Sequence, residues 1–309
     1  MTSAIVSVTS DEKIKISFLQ GFDEDDYLPL QNLLEKNNYE VITVSALTQD
    51  IDADSKTVVL FGPRRDLDNV AIQKLKSYLE TDEGKDKNIL YFVSPDKEST
   101  PKLDNFLQAW QIKVGDGIIF ETDIRNLLVL NNPFFAINEY ADSTYTTNLK
   151  NSTIPVALGY CKPLEILDED AVDVMLRFSD SAGIRPSNAG NGWTPTKDDI
   201  IGNIPSMVVS NKVNDNSSTS HLAVVGTTIG FDNESLGRTS LNNSSYILNV
   251  FSVFTKQESP INIEPKSLAG EELGINVYQA RVLGIIFMFI IPITMLIIGI
   301  VVYIKRKNK

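Results

Sequence analysis

The sequence predicts an α/β protein with a mostly parallel sheet flanked by helices, followed by one C-terminal transmembrane helix. Three observations predict it. Strand-like apolar runs alternate with helical segments from Lys13 to Gln111. A 23-residue run without a charge, Val282–Ile304, lies near the C-terminus. Hydrophobic residues make up 42% of the 309 and charged residues 22%, enough apolar material for a packed core.

The elements follow in order. Lys13–Gln20 (KIKISFLQ) alternates and reads as a strand. Tyr27–Lys36 has Leu28, Leu30, Leu33 and Leu34 at helical spacing, stopped by Asn37-Asn38. Tyr39–Ser45 is a second strand, and Lys56–Gly62 a third whose apolar run suits a buried parallel strand. Asp66 or Asp68 caps a helix to about Glu80, with Val70, Ile72, Leu75 and Leu79 as its apolar positions. Asn88–Ser94 is a fourth strand and Pro101–Gln111 a further helix. Such alternation means βαβ units and a mostly parallel sheet. The second half is less regular. Asp116–Glu121, Pro155–Leu167, Asp173–Ser179 and Ser206–Ser210 read as extended, Ser179–Asp199 as a long loop, and Asn211–Ser220 as a polar turn. His221–Thr228 is a buried strand and Ser244–Phe254 a helix.

As a helix the charge-free run is roughly 34 Å long, enough for a hydrocarbon core of about 30 Å. Pro292 sits mid-span, where membrane helices tolerate a kink, and Tyr303 suits an interface. Lys305, Arg306, Lys307 and Lys309 follow the span, so the positive-inside rule puts residues 305–309 in the cytoplasm. The expected layout is a lead at 1–10, an α/β domain at 11–258, a connector at 259–281, the span at 282–304 and the basic tail. The domain is then extracytoplasmic and the chain single-pass in the cell membrane. That needs an export signal, which Met1–Ser10 (MTSAIVSVTS) lacks. Two expectations meet the conflict: a tail-anchored protein with a cytoplasmic domain, or the C-terminal part of a longer chain.

Composition excludes several classes. The net charge is −12; the tail holds four of the 28 basic residues, leaving 24 against 40 acidic ones, or −16, on the first 281. Nucleic acid is not an expected partner, because phosphate binding needs a basic face. Cys161 is the sole cysteine and His221 the sole histidine, which excludes disulfide frameworks and sites needing two thiols or two imidazoles. No cofactor motif is present: no glycine-rich dinucleotide fingerprint, P-loop lysine or nucleophile elbow follows any strand.

Three groups remain as candidates for chemistry. Gly21-Phe22-Asp23-Glu24-Asp25-Asp26 follows the first strand, where open α/β sheets bind ligands. Its carboxylates suit a divalent cation. The preferred reading is that they cap the following helix and favour its positive end. Cys161 has no base near it in sequence and reads as structural, and His221 as a surface or edge residue. The loop Arg185–Trp193 offers Arg185, Asn188 and Trp193 either as a recognition surface or as a packing anchor. Asn151, Asn216, Asn233, Asn242 and Asn243 begin glycosylation sequons, which matter only in a glycosylating host.

Three stretches together resemble one family. They are KIKISFLQGFDEDDYLPLQNLLEKNNYEVITVSAL, DADSKTVVLFGPRRDLDNVAIQKLKSYLE, and the run from His221 to Leu268, with Asn243, Asn249 and Lys266 at recurrent positions. The resemblance is to the GldG-like auxiliary components of ABC transporters, of gliding-motility type. It covers Ser10 to Lys309. It implies a Rossmann-like or glutamine-amidotransferase-like sheet without the nucleophilic cysteine. It also implies a non-enzymatic accessory subunit that partners an ABC permease and ATPase. Departures are Phe22-Asp23 where the family often has His-Gly, and Thr227-Thr228 where it often has Asp-Ser. The alternatives are a stand-alone membrane-anchored solute- or glycan-binding module, and a hydrolase using a metal at Asp23–Asp26.

Overall fold

The structure, a computed structural model, describes residues 13–80, 86–129, 131–141, 145, 154–190, 192–213, 218–256 and 277–307. The expected lead at 1–10 and most of the 259–281 connector lie outside the described residues.

Among the described residues thirteen strands form, in chain order: β1 (Ile14–Gln20), β2 (Tyr39–Ser45), β3 (Thr57–Phe61), β4 (Lys87–Phe92), β5 (Ile112–Val114), β6 (Ile118–Glu121), β7 (Phe135–Tyr140), β8 (Val156–Gly159), β9 (Leu164–Ile166), β10 (Val172–Arg177), β11 (Ala182–Arg185), β12 (Pro205–Val213) and β13 (Thr219–Val225). The helices are α1 (Leu28–Lys36), α2 (Asn69–Leu79), α3 (Pro101–Gln108), α4 (Asn233–Gly237), α5 (Asn243–Thr255), α6 (Val277–Ile285) and α7 (Ile291–Lys307). Nine strands join in one sheet, ordered β2-β1-β3-β4-β13-β12-β10-β7-β8. The first five are parallel, as expected from the βαβ alternation. From β13 onward the sheet continues antiparallel.

The core alternates with period two across this sheet. Ile16, Phe18, Val59, Phe61, Leu90, Phe92, Ala223 and Val225 face α1 and α5. Leu19, Val58, Leu60, Ile89, Tyr91, Leu222 and Val224 face α2 and α3. Strands covered on both faces favour apolar side chains on both, which is why Val58–Phe61 of β3 and Ile89–Phe92 of β4 read as apolar runs after the buried polar starts Thr57 and Lys87-Asn88. α5 buries Tyr246, Ile247, Val250, Phe251 and Phe254, each contributing about 1.5–3 kcal/mol.

Several boundaries differ from expectation. α2 starts where Asp68 accepts the Ala71 N–H at 2.7 Å, yet Val70 is exposed while Ala71, Leu75, Tyr78 and Leu79 are buried. Leu75 and Leu79 are buried as expected and Ile72 packs against the core, while Ala71 takes the place expected of Val70. The Ser179–Asp199 loop contains β11, which pairs with β6, and a 3₁₀ turn at Lys197–Asp199. β12 runs on through Asn211–Val213, because β13 supplies a partner. At the far end of the sheet, the Asn243 amide accepts from the Ala157 N–H at 3.0 Å and donates to the Ala157 carbonyl at 2.8 Å and the Gly230 carbonyl at 2.7 Å. Asn249 donates to the Tyr145 carbonyl at 2.6 Å. Both asparagines are therefore bound into the fold.

The helix Tyr278–Lys307 is long and apolar enough to cross a membrane. Pro292 has no N–H and crowds the preceding turn. The helix absorbs this through a π turn at Ile286–Ile290.

Candidate functional site

β1 leads to β2 on one side, and β3 returns on the other side of β1, so the sheet switches direction between β1 and β3. Ligands of open α/β sheets enter at such a switch, outside the carboxyl ends of the strands. Asp23, Glu24 and Asp25 lie there, with Arg64 after β3 and Thr228 after β13.

The expected role at the start of α1 holds for Asp26 alone of the acidic run. The first turn of α1 holds no acid, and its N-terminal residue Tyr27 makes no side-chain cap. Only Asp26 serves the helix end, accepting the Leu28 N–H at 3.1 Å. Asp25 instead spans three loops. Its carboxylate accepts from Arg64 Nε and Nη2 at 2.8 Å each, and from the Thr228 hydroxyl at 2.7 Å. Its own N–H donates to the Gly62 carbonyl at 3.1 Å. Gly62 has φ +62°, and a Cβ there would lie 2.5 Å from Asp25 Oδ2. Glycine is what allows the carboxylate this approach. Glu24 accepts the Phe22 N–H at 2.7 Å and bridges to Pro63. Asp23 is exposed, with a left-handed φ of 59°.

The crevice is thus closed by the protein's own side chains. Helix N-termini nearby are filled too. Asp66 accepts the Lys102 and Leu103 N–H groups of α3 at 3.1 Å each, and Asp68 caps α2. These are the positions an anionic ligand takes in related architectures. Among the described residues no group of three metal-ligating side chains converges.

Arg185, Asn188 and Trp193 sit on a different element, the end of β11 and its loop. Trp193 meets Phe120 edge-on at 5.3 Å, and the Arg185 guanidinium lies 5.9 Å from the Trp193 ring. Arg185 also donates to the Ala189 carbonyl at 2.9 Å, and Ser187 to Asp116 at 2.6 Å. The loop is anchored by these contacts, which favours the packing role for Trp193. Asn188 is exposed.

Cys161 is fully buried, and burial pushes its thiol well above the ordinary range. His221 is not the surface or edge residue the sequence implied. It lies on β13 between β4 and β12, stacked on Phe254 at 5.5 Å. Asn211 Oδ1 is 2.6 Å from its Nδ1 and the Tyr145 hydroxyl 3.2 Å away. Burial lowers its pKa; Asp86 opposes this and Lys256 adds to it. Lys162 is also lowered, by burial first and then by Lys97.

Sequence reasoning missed Arg64 and Thr228. Arg64 is 39 residues from Asp25 and Thr228 is 203, so no local pattern marked them.

No protein-family model matches the chain, and no curated protein matches it. Solved structures do. The chain is similar to the mmIFT52 N-terminal domain at 15% identity and a TM-score of 0.56, over 78% of this chain and 97% of that one. A glutamine amidotransferase from Thermotoga maritima aligns at 5% identity and a TM-score of 0.43, over 79% and 99%. The carbohydrate deacetylase Agd3 aligns at 10% identity and a TM-score of 0.45, over 79% of this chain and 32% of that one. At such identities the likeness concerns the fold alone.

Proposed function

We propose that this chain is a membrane-anchored, non-enzymatic accessory subunit of an ABC transport system, whose α/β domain binds a partner or cargo. The observation that carries the non-enzymatic part is the Asp25–Arg64–Thr228 closure of the switch-point crevice. A nucleophile or acid–base pair needs an accessible reacting atom. Here the central carboxylate is committed to an arginine and a hydroxyl, and Cys161 is fully buried, which disfavours its thiolate. The helix Tyr278–Lys307 is the anchor in this reading, with Lys305, Arg306 and Lys307 on the cytoplasmic side and the domain outside. The permease and ATPase partners rest on the family resemblance of the three sequence stretches.

The test is purification of the tagged protein from its native membranes in mild detergent, with mass spectrometry of what accompanies it. Recovery of an ABC ATPase and a multi-span permease in comparable amounts supports the reading. Recovery of the chain alone across several detergents overturns it. The stand-alone glycan-binding alternative needs an open aromatic platform, and Trp193 is packed on Phe120 instead.

A further inference from the structure

The apolar helix does not leave the domain cleanly. Its first segment, α6, runs close beside the 3₁₀ turn Ile124–Asn126 while residues 278–285 stay exposed. That turn is held by a buried carboxylate. Glu121 is 2% exposed and accepts from the Asp123 N–H at 2.7 Å and the Asn126 amide at 3.4 Å. The Ser179 and Ser181 hydroxyls donate to it at 2.6 Å each. Asp123 in turn accepts the Arg125 N–H at 2.9 Å and pairs with its guanidinium. Asp123 is thus paired with a cation, and the Glu121 carboxylate is held by four neutral donors.

An apolar, aromatic rim continues from the turn. Leu127 bridges to Ala136, and Leu128 donates to the Phe135 carbonyl at 3.0 Å. Tyr160 donates to the Phe134 carbonyl at 2.7 Å, and the two rings stack at 5.8 Å. Val129 is 41% exposed and Tyr160 38%. Tyr160 has φ 48°, a left-handed backbone that costs a tyrosine free energy and persists only where its surroundings enforce it.

Distance along the helix links the two. α6 begins at Val277 and the charge-free run at Val282, a rise of roughly 8 Å. That is about the depth of one headgroup layer. Whatever touches α6 is then within a headgroup layer of the hydrocarbon, where tyrosine and other amphipathic aromatics are favoured.

We infer that the rim formed by Val129, Phe134 and Tyr160, around the Ile124–Asn126 turn, rests in the lipid headgroups beside the anchor. The domain then stands on the β7–β8 end of its sheet. Its surplus negative charge is held away from the bilayer. This rests on the anchoring reading above.

The test uses the full chain in phosphatidylcholine vesicles. Cys161 is buried, so single introduced thiols take an environment-sensitive fluorophore selectively. The labelled variants are Val129→Cys, Tyr160→Cys, Ile297→Cys in the span, and Glu40→Cys on β2 at the opposite edge of the sheet. Eight strand spacings put that last site roughly 38 Å from β8. Lipid-borne nitroxides should quench positions 129 and 160 at least threefold more than position 40. Quenching at 129 and 160 equal to that at 40, with 297 strongly quenched, overturns the rim contact and leaves the anchor intact. An unquenched 297 overturns both.

Discussion

Replacing Gly62 with alanine tests the closure of the crevice most directly. The new Cβ would lie 2.5 Å from Asp25 Oδ2, in a backbone with φ +62°. The left-handed conformation alone costs an alanine about 1–2 kcal/mol. Pushing the carboxylate aside also loses the Thr228 bond, about 1.5–3 kcal/mol for a charged acceptor. The Arg64 pair adds about 0.2–1 kcal/mol, since the Arg64 side chain is 43% exposed. Gly62→Ala should therefore destabilise the protein by about 3–6 kcal/mol. In an Asp25→Gly background Oδ2, Cγ and Cβ, the three atoms within 3 Å of the new Cβ, are all gone, and the same change should cost only about 1–2 kcal/mol. The assay is urea unfolding of the full chain in detergent, followed by the fluorescence of Trp110 and Trp193. Equal costs in the two backgrounds, within about 0.5 kcal/mol, would refute the reasoning.

Three further outcomes are expected. His221 has a folded pKa below its ordinary 6.5, so its stabilising contribution is present above pH 6.5 and is lost as pH falls below it. The stability difference between wild type and His221→Gln should shrink from pH 7.5 to pH 5; a constant difference contradicts the buried-imidazole account. Cys161 should not react with Ellman's reagent at pH 8 until the protein unfolds, and native labelling at the unfolded rate would mean the thiol is accessible. Trp193→Ala should cost about 1 kcal/mol and open Lys197 to trypsin, and an unchanged cleavage rate would remove its anchoring role.

The parallel half of the fold was legible because each strand there carries its own evidence. KTVVLFG and NILYFVS each carry an apolar stretch, VVLF and ILYFV, as doubly covered strands tend to. The antiparallel half was harder to read. β5 has only three residues, and β12 becomes a nine-residue strand only because β13 lies beside it. The acidic run was placed correctly at the end of β1, yet its role was not visible. Local physics favours carboxylates at a helix start, and nothing near Asp25 in sequence announced a competing guanidinium. Val70 illustrates the same limit. It satisfies helical spacing, but which face of α2 meets the sheet is set by the sheet. The lone histidine was misread because its burial comes from Phe254 and Tyr145, both distant in the chain.

The asparagine that grips Ala157 has a consequence for crowding. A chain tethered to a membrane meets copies of itself at a high effective concentration, confined to two dimensions. A terminal strand whose peptide groups face outward would then template its neighbour, and one copy could recruit the next into a growing ribbon. Asn243 supplies a single counterfeit peptide at β8: one donor and one acceptor, spent on the residue that a docking strand would need. The position works as a chain terminator. A strand docking on β8 would find no free donor and acceptor at Ala157.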